Sequence, residues 1–147
     1  MKREIWFDMD GTIADFYEVN GWVEYLENGD VFPYATAKPM HNFFVLARLL
    51  NGLQRQGYSI GIISWASRTA TPEYEKAIDL AKRGWLARHL KSVKFDTIEV
   101  VPYGTPKEVG RNGILFDDND EIRRAWNENG GESFPPSEIF KVLKGLA

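Results

Sequence analysis

A chain of 147 residues with 44% hydrophobic side chains can bury one core, which argues against disorder. A formal charge of −3 offers no general nucleic-acid-binding surface, and the absence of cysteine excludes disulfides and a thiol nucleophile. No apolar run approaches membrane-spanning length, and Asp8 interrupts any leader-like segment behind Lys2 and Arg3, so a soluble cytoplasmic protein is expected.

The first predicted strand is Ile5-Trp6-Phe7, followed directly by Asp8-Met9-Asp10-Gly11-Thr12. The strand delivers Asp8, and the Gly-containing turn carries Asp10 back over the same space. Paired carboxylates suit a hard cation such as Mg²⁺. One of the pair could attack phosphorus while the other handles protons. Residue chemistry does not say which does which.

Residues 15–39 read as a small insertion holding Phe16, Tyr17, Trp22, Tyr25, Phe32 and Tyr34. Within it, 22–26 suits a short helix and Asn28-Gly29-Asp30 a turn. A connection this long in a compact domain is usually functional, so a minimal lid over a fairly open site is expected, its rings either stacking on a base or packing the lid down. Phe16, Tyr17 and Trp65 are the better candidates for substrate contact, because they adjoin motif residues.

Helical spacing of Met40, Phe43, Phe44, Ala47, Leu50 and Leu53 predicts a helix that stops near Gly57. Residues 58–63 predict a buried strand ending at Ser64, with Arg68 close behind as either a surface residue or a contact for a second anionic group. Thr71-Pro72 starts a second helix with the stripe Tyr74, Ala77, Ile78 and Ala81, broken at Gly84 before Trp85. The basic run Lys82, Arg83, Arg88, Lys91 and Lys94 reads as a solvated helix face. His41 and His89 share no ligand spacing and read as structural.

A third strand is predicted over 95–101, and Thr105-Pro106-Lys107 opens a short helix. Ile114-Leu115-Phe116 is a fourth strand, ending at Asp117-Asp118. A helix follows from about Asn119, with Asp120 and Glu121 in its first turn as the helix dipole favours, and Gly130-Gly131 ends it. Ser137 caps a last short helix to about Lys144. Alternating strands and helices imply a mostly parallel sheet with right-handed crossovers, in one domain over 1–147. Sites in such sheets form at the carboxyl ends of the strands, which is where Asp8, Ser64 and Asp117 fall.

The order Asp-x-Asp-Gly-Thr, Ser64, Lys107, Asp117-Asp118 resembles the four motifs of the haloacid dehalogenase-like superfamily of phosphatases. That resemblance implies a Rossmann-like three-layer α/β sandwich with a minimal cap inserted after the first strand. It makes Asp8 the nucleophile that becomes an aspartyl-phosphate and Asp10 the general acid and base. Thr12, Ser64, Trp65 and Lys107 would bind the phosphoryl group. Asp117 and Asp118 would complete a Mg²⁺ site with Asp8 and the Asp10 carbonyl.

Residues 81–86, the Lys107 region, 115–118 and Trp126 are also similar in order and spacing to the 5'(3')-deoxyribonucleotidases, although Pro106 stands where that family carries Asp. The implied activity is a Mg²⁺-dependent phosphomonoesterase acting on a small phosphorylated substrate, a nucleotide first, with no membrane partner. A polynucleotide end phosphatase and a sugar-phosphate phosphatase are the alternatives. Dehalogenation is disfavoured because Asp10 is present. A receiver-like phosphoacceptor is disfavoured because its acidic pair would precede the acceptor Asp.

Overall fold

The structure, a computed structural model, describes residues 3–147. Five strands, β1 (Glu4–Phe7), β2 (Ser59–Trp65), β3 (Thr97–Val101), β4 (Ile114–Phe116) and β5 (Glu132–Phe134), make one sheet in the order β3-β2-β1-β4-β5. Every pairing is parallel. Between β1 and β2 lie two short helices, α1 (Trp22–Glu27) and α2 (Phe32–Thr36), and then α3 (Phe43–Arg55). Helix α4 (Pro72–His89) joins β2 to β3, α5 (Asp120–Glu128) joins β4 to β5, and α6 (Ile139–Leu146) ends the chain.

Alternation along the strands sorts the core into two faces. Ile5, Phe7, Ile60, Ile62, Ile114 and Phe116 form one face and pack against α3, α4 and α6. Trp6, Ile63 and Leu115 form the other and pack on Trp126 of α5. The result is a Rossmann-like three-layer α/β sandwich. Strand order reverses between β1 and β4, which opens a crevice beyond their carboxyl ends. Asp8 and Asp117 are the residues that follow those two ends.

Caps explain where the longer helices begin. The Asn42 side chain accepts from the Phe44 and Val45 N–H groups, Thr71 from Tyr74, and Asn119 from Glu121 and Ile122. Pro72 occupies the first turn of α4, where its missing N–H costs nothing.

Several expectations need correction. Helix α4 does not break at Gly84 but runs to His89. A mid-helix glycine costs about 1 kcal/mol relative to alanine, less than the burial of Trp85 and Leu86 on the next turn contributes. Residues 105–107 form no helix, β3 begins at Thr97, and Ser64 lies inside β2. Ser137 sits in a 3-10 turn (Pro136–Glu138) and supplies no side-chain cap to α6. Strand β5 and helix α2 were not expected.

The insertion over 15–39 is fastened to α4. Tyr74 Oη donates to the Asp30 carbonyl at 2.7 Å, Trp85 Nε1 to the Ala37 carbonyl at 2.7 Å, and Arg88 Nη2 to the Ala35 carbonyl at 2.5 Å. Among the described residues no helix is long and apolar enough to cross a membrane.

The Trp6↔Gly61 register is tightly packed, because a Cβ at Gly61 would lie 2.6 Å from the Trp6 ring. Gly61→Ala should therefore cost about 1–3 kcal/mol in urea unfolding, as overpacked cores do. Gly52→Ala, in α3 with only Arg55 Nη2 at 3.8 Å, should gain about 0.5–1 kcal/mol. Equal effects at the two glycines would remove steric crowding by Trp6 as the cause.

Candidate functional site

The carboxyl ends of β1, β2 and β4 converge on a cavity of about 550 Å³. Asp8, Asp10, Lys107, Asp117 and Asp118 line its polar end. Phe16, Tyr17, Trp22 and Tyr34 from the insertion, with Trp65 and Tyr103 opposite in sequence, line the rest. The volume lies in the range of small-molecule sites.

Local folding aims the carboxylates. The Asp8 N–H donates to Phe116 O at 2.9 Å, extending the β1–β4 ladder by one bond. The chain then coils, with the N–H groups of Thr12, Ile13 and Ala14 all donating to Met9 O at 2.9–3.0 Å. Gly11 is required in that coil. Its φ is +79°, and any Cβ there would collide with the Asp118 carboxylate and touch the Tyr17 ring. His41 Nε2 donates to Thr12 O at 2.7 Å, so this structural histidine ties the start of α3 to the coil. His89 packs on the Trp85 ring, outside the cavity lining.

Two buried ammonium groups divide the carboxylates between them. Lys107 Nζ lies 3.0 Å from Asp8 Oδ1 and 2.7 Å from Asp117 Oδ2. Lys82 Nζ lies 2.9 Å from Asp10 Oδ2, 2.6 Å from Ser64 Oγ and 2.8 Å from Trp65 O. Lys82 is 1% exposed, so the solvated-face reading of the basic run fails at this residue. Arg83, Arg88, Lys91 and Lys94 are exposed, as that reading expects. The signal for Lys82 was its helical phase, four residues after Ile78 and three before Trp85, on the buried stripe of α4.

The residues expected to hold phosphate are placed unequally. Lys107 lines the cavity, whereas Thr12 and Ser64 are fully buried behind its wall. Thr12 Oγ1 donates to Asp8 Oδ2 at 2.8 Å, and Ser64 Oγ accepts from Lys82. The Trp65 indole N–H is already committed to Thr105 O at 2.8 Å, so that side chain brings a ring to the site and no free donor. Ser67, Arg68 and Thr69, on the loop after β2, line the cavity as well, and Arg68 is exposed with no ion pair among the described residues.

One oxygen from each of Asp8, Asp117 and Asp118 falls within 4.8 Å of the other two. Octahedral oxygens about 2.1 Å from a Mg²⁺ ion would fit within such a group. Charge agrees: three carboxylates against the Lys107 ammonium leave two negative charges, which one divalent cation would balance. The Asp10 carboxylate lies outside this group and is balanced by Lys82. The earlier expectation put only the Asp10 carbonyl at a metal.

The uncompensated charge shows in the titration of these groups. Burial, and then the charge of Asp8, push the Asp117 carboxyl up to about 6 despite Lys107. Desolvation in the crevice, followed by Asp8, raises Asp118 to about 7. Asp118 sits at the exposed mouth, where solvent screens charge, so the shift at buried Asp117 carries more energetic weight. Burial also raises Asp10, with Lys82 opposing and Asp8 adding. Lys107 is held above the usual lysine range by Asp8 and Asp117, which outweigh its own desolvation. Tyr17, over the same acids, is raised by burial and then by Asp10 and Asp118.

No protein-family model and no curated protein compared with this chain gives a match.

A carboxyl group whose folded pKa is raised binds its proton more tightly in the folded chain. Its contribution to stability therefore falls as pH rises from the unfolded value near 4 through the folded one. Chelator-treated protein should thus lose stability relative to Asp118→Asn between about pH 4 and about pH 7, with the difference flat above that window. Urea midpoints of both proteins across this range check it. A protein that instead gained stability relative to Asp118→Asn as pH rose would reverse the sign and remove charge crowding as the cause.

Proposed function

We propose that this chain is a phosphatase, a member of the haloacid dehalogenase-like superfamily that hydrolyses small phosphomonoesters through a phosphoryl group carried on Asp8. The observation that carries the reading is the meeting of Asp8, Asp117 and Asp118 with the Lys107 ammonium at the polar end of one cavity. Acids from opposite ends of the sequence are brought together there with a cation suited to phosphoryl oxygens. Mg²⁺ is the cofactor the donor set fits, held by Asp8, Asp117 and Asp118. When bound there it would supply positive charge against the phosphoryl oxygens.

The protein's own groups supply the rest. An Asp8 carboxylate oxygen forms a bond to phosphorus as the bond from phosphorus to the ester oxygen breaks. Asp10, whose raised pKa favours the protonated form, gives its proton to the departing oxygen. Water then attacks phosphorus, Asp10 takes the proton, and the Asp8–phosphorus bond breaks to release phosphate. Lys107 neutralises charge beside Asp8 throughout. Lys82 ties down one Asp10 oxygen, Oδ2, leaving the other for proton transfer. Thr12 donates to Asp8 and fixes its rotamer.

A nucleotide is the favoured substrate. The cavity, about 550 Å³, matches a mononucleotide better than a polymer end, and its aromatic half suits a base. A sugar phosphate would leave those rings unused.

Asp8→Asn should abolish hydrolysis of p-nitrophenyl phosphate with the fold intact, because the amide is nearly isosteric but poorly nucleophilic. Asp10→Asn should lower kcat by roughly 10²–10⁴-fold. Activity should require Mg²⁺ and be lost to a chelator. The cation should also raise the thermal midpoint more at pH 8 than at pH 5.5, where protons compete for Asp117 and Asp118. Turnover retained by Asp8→Asn, or unaffected by chelation, would remove the reading.

A further inference from the structure

We propose that Tyr103, seated on Trp65, is the platform on which a planar leaving group stacks, so that the site selects aromatic or heteroaromatic phosphomonoesters. The kinetic arm of this proposal rests on the phosphatase reading; its binding arm does not.

The rings of the insertion are mostly committed elsewhere. Phe16 is 2% exposed and packs against Tyr17, Trp22 and Tyr34 at 4.7–5.4 Å between centroids. The Tyr34 ring lies over the Lys82 ammonium at 4.9 Å. Tyr17 stands edge-on to both Phe16 and Trp22, over the acidic end of the cavity. These contacts build the roof, and Tyr17, 51% exposed, keeps its free surface over the carboxylates.

Tyr103 differs in how it is mounted and in where it stands. It is 51% exposed, lines the cavity, and has its ring centroid 4.8 Å from Trp65. It occupies the second position of a tight turn, in which Thr105 N donates to Pro102 O at 3.1 Å and Gly104 takes φ +87° at the third position. That arrangement matches a type II turn, which needs glycine there. Thr105 Oγ1 adds a second bond to Pro102 O at 2.6 Å, and Trp65 Nε1 fastens the same residue from β2 at 2.8 Å. A turn tied by three hydrogen bonds thus presents a large ring to the cavity mouth. Holding such a ring in water gains nothing for the fold, since burial is what stabilises aromatic side chains. Two residues beyond Thr105, Lys107 reaches Asp8, so one short segment sets both the ring platform and the ammonium.

The test compares Tyr103→Ala and Tyr103→Phe with the unmodified chain on adenosine 5'-monophosphate, 2-naphthyl phosphate and glycerol 2-phosphate. Stacking on an aromatic side chain is worth enough that its removal should raise KM for the two ring substrates roughly tenfold with kcat kept. Glycerol 2-phosphate, with no ring, should keep its KM, and Tyr103→Phe should behave like the unmodified chain. An equal change on all three substrates, or none on the ring substrates, overturns the platform. If the unmodified chain hydrolyses none of them, the phosphatase reading fails. Adenosine alone, followed by tryptophan fluorescence, then decides the platform. Binding that Tyr103→Ala abolishes supports it, and binding that is absent or equal in both proteins overturns it.

Discussion

The Lys107 ammonium, buried between Asp8 and Asp117, is the contact on which this architecture depends. The crevice between β1 and β4 forces two acidic strand ends together, each almost wholly removed from solvent. Without a cation there the desolvation and repulsion of two carboxylates would work against closing the sheet at its switch point. Breaking a buried pair by removing one partner typically costs about 3–5 kcal/mol, a large part of a small domain's stability. Fold and site are therefore bound together at this point. Even with Lys107 in place two negative charges stay uncompensated, and Asp117 and Asp118 are shifted upward by burial first and by the charge of Asp8 second. A site in this state is poised for positive charge from outside the chain.

The second ammonium keeps the two acids of the first motif distinct. Asp8 has Lys107 and Thr12 as partners, whereas Asp10 has Lys82. All three Lys82 donors are spent, on Asp10, Ser64 and the Trp65 carbonyl, so it acts on the environment of the acid and not on a ligand. Separating the surroundings of two acids is the general way one site holds an anion beside a proton donor.

Much of this was legible in the sequence because it rests on local signals. Continuous apolar runs gave the three central strands, and Asn42, Thr71 and Asn119 sit where helix starts were read or near them. The failures share a cause, namely that tertiary contact overrode a local rule. Gly84 does not end α4 because the buried turn around Trp85 holds the helix together. Strand β5, Glu132-Ser133-Phe134, is short and half polar, and only pairing with β4 makes it a strand. Lys82 was hidden in a basic run whose other members are exposed, and charge composition cannot reveal that one of five lysines and arginines turns inward. Tyr103 gave no signal, since its setting depends on a turn and on the Trp65 ring, distant in sequence.

Helix α4 carries the deeper organisation. Its inner face supplies Lys82 to Asp10, while Tyr74, Trp85 and Arg88 hold the backbone of the insertion. The roof of the cavity and the partner of the acid thus ride on the same rigid rod. Tyr34, from α2, lies against Lys82 and closes the loop between them. A shift of α2 would disturb the ammonium that holds Asp10, and a shift of Asp10 would be felt at the roof. Helix α1 is the exception. It buries no residue, has no side-chain cap, and is bounded by Gly21 and Gly29, both at positive φ. Its ties are the Trp22 and Leu26 side chains packed on the cluster of Phe16 and Tyr34, and it takes part in none of the three side-chain hydrogen bonds that fasten the insertion to α4.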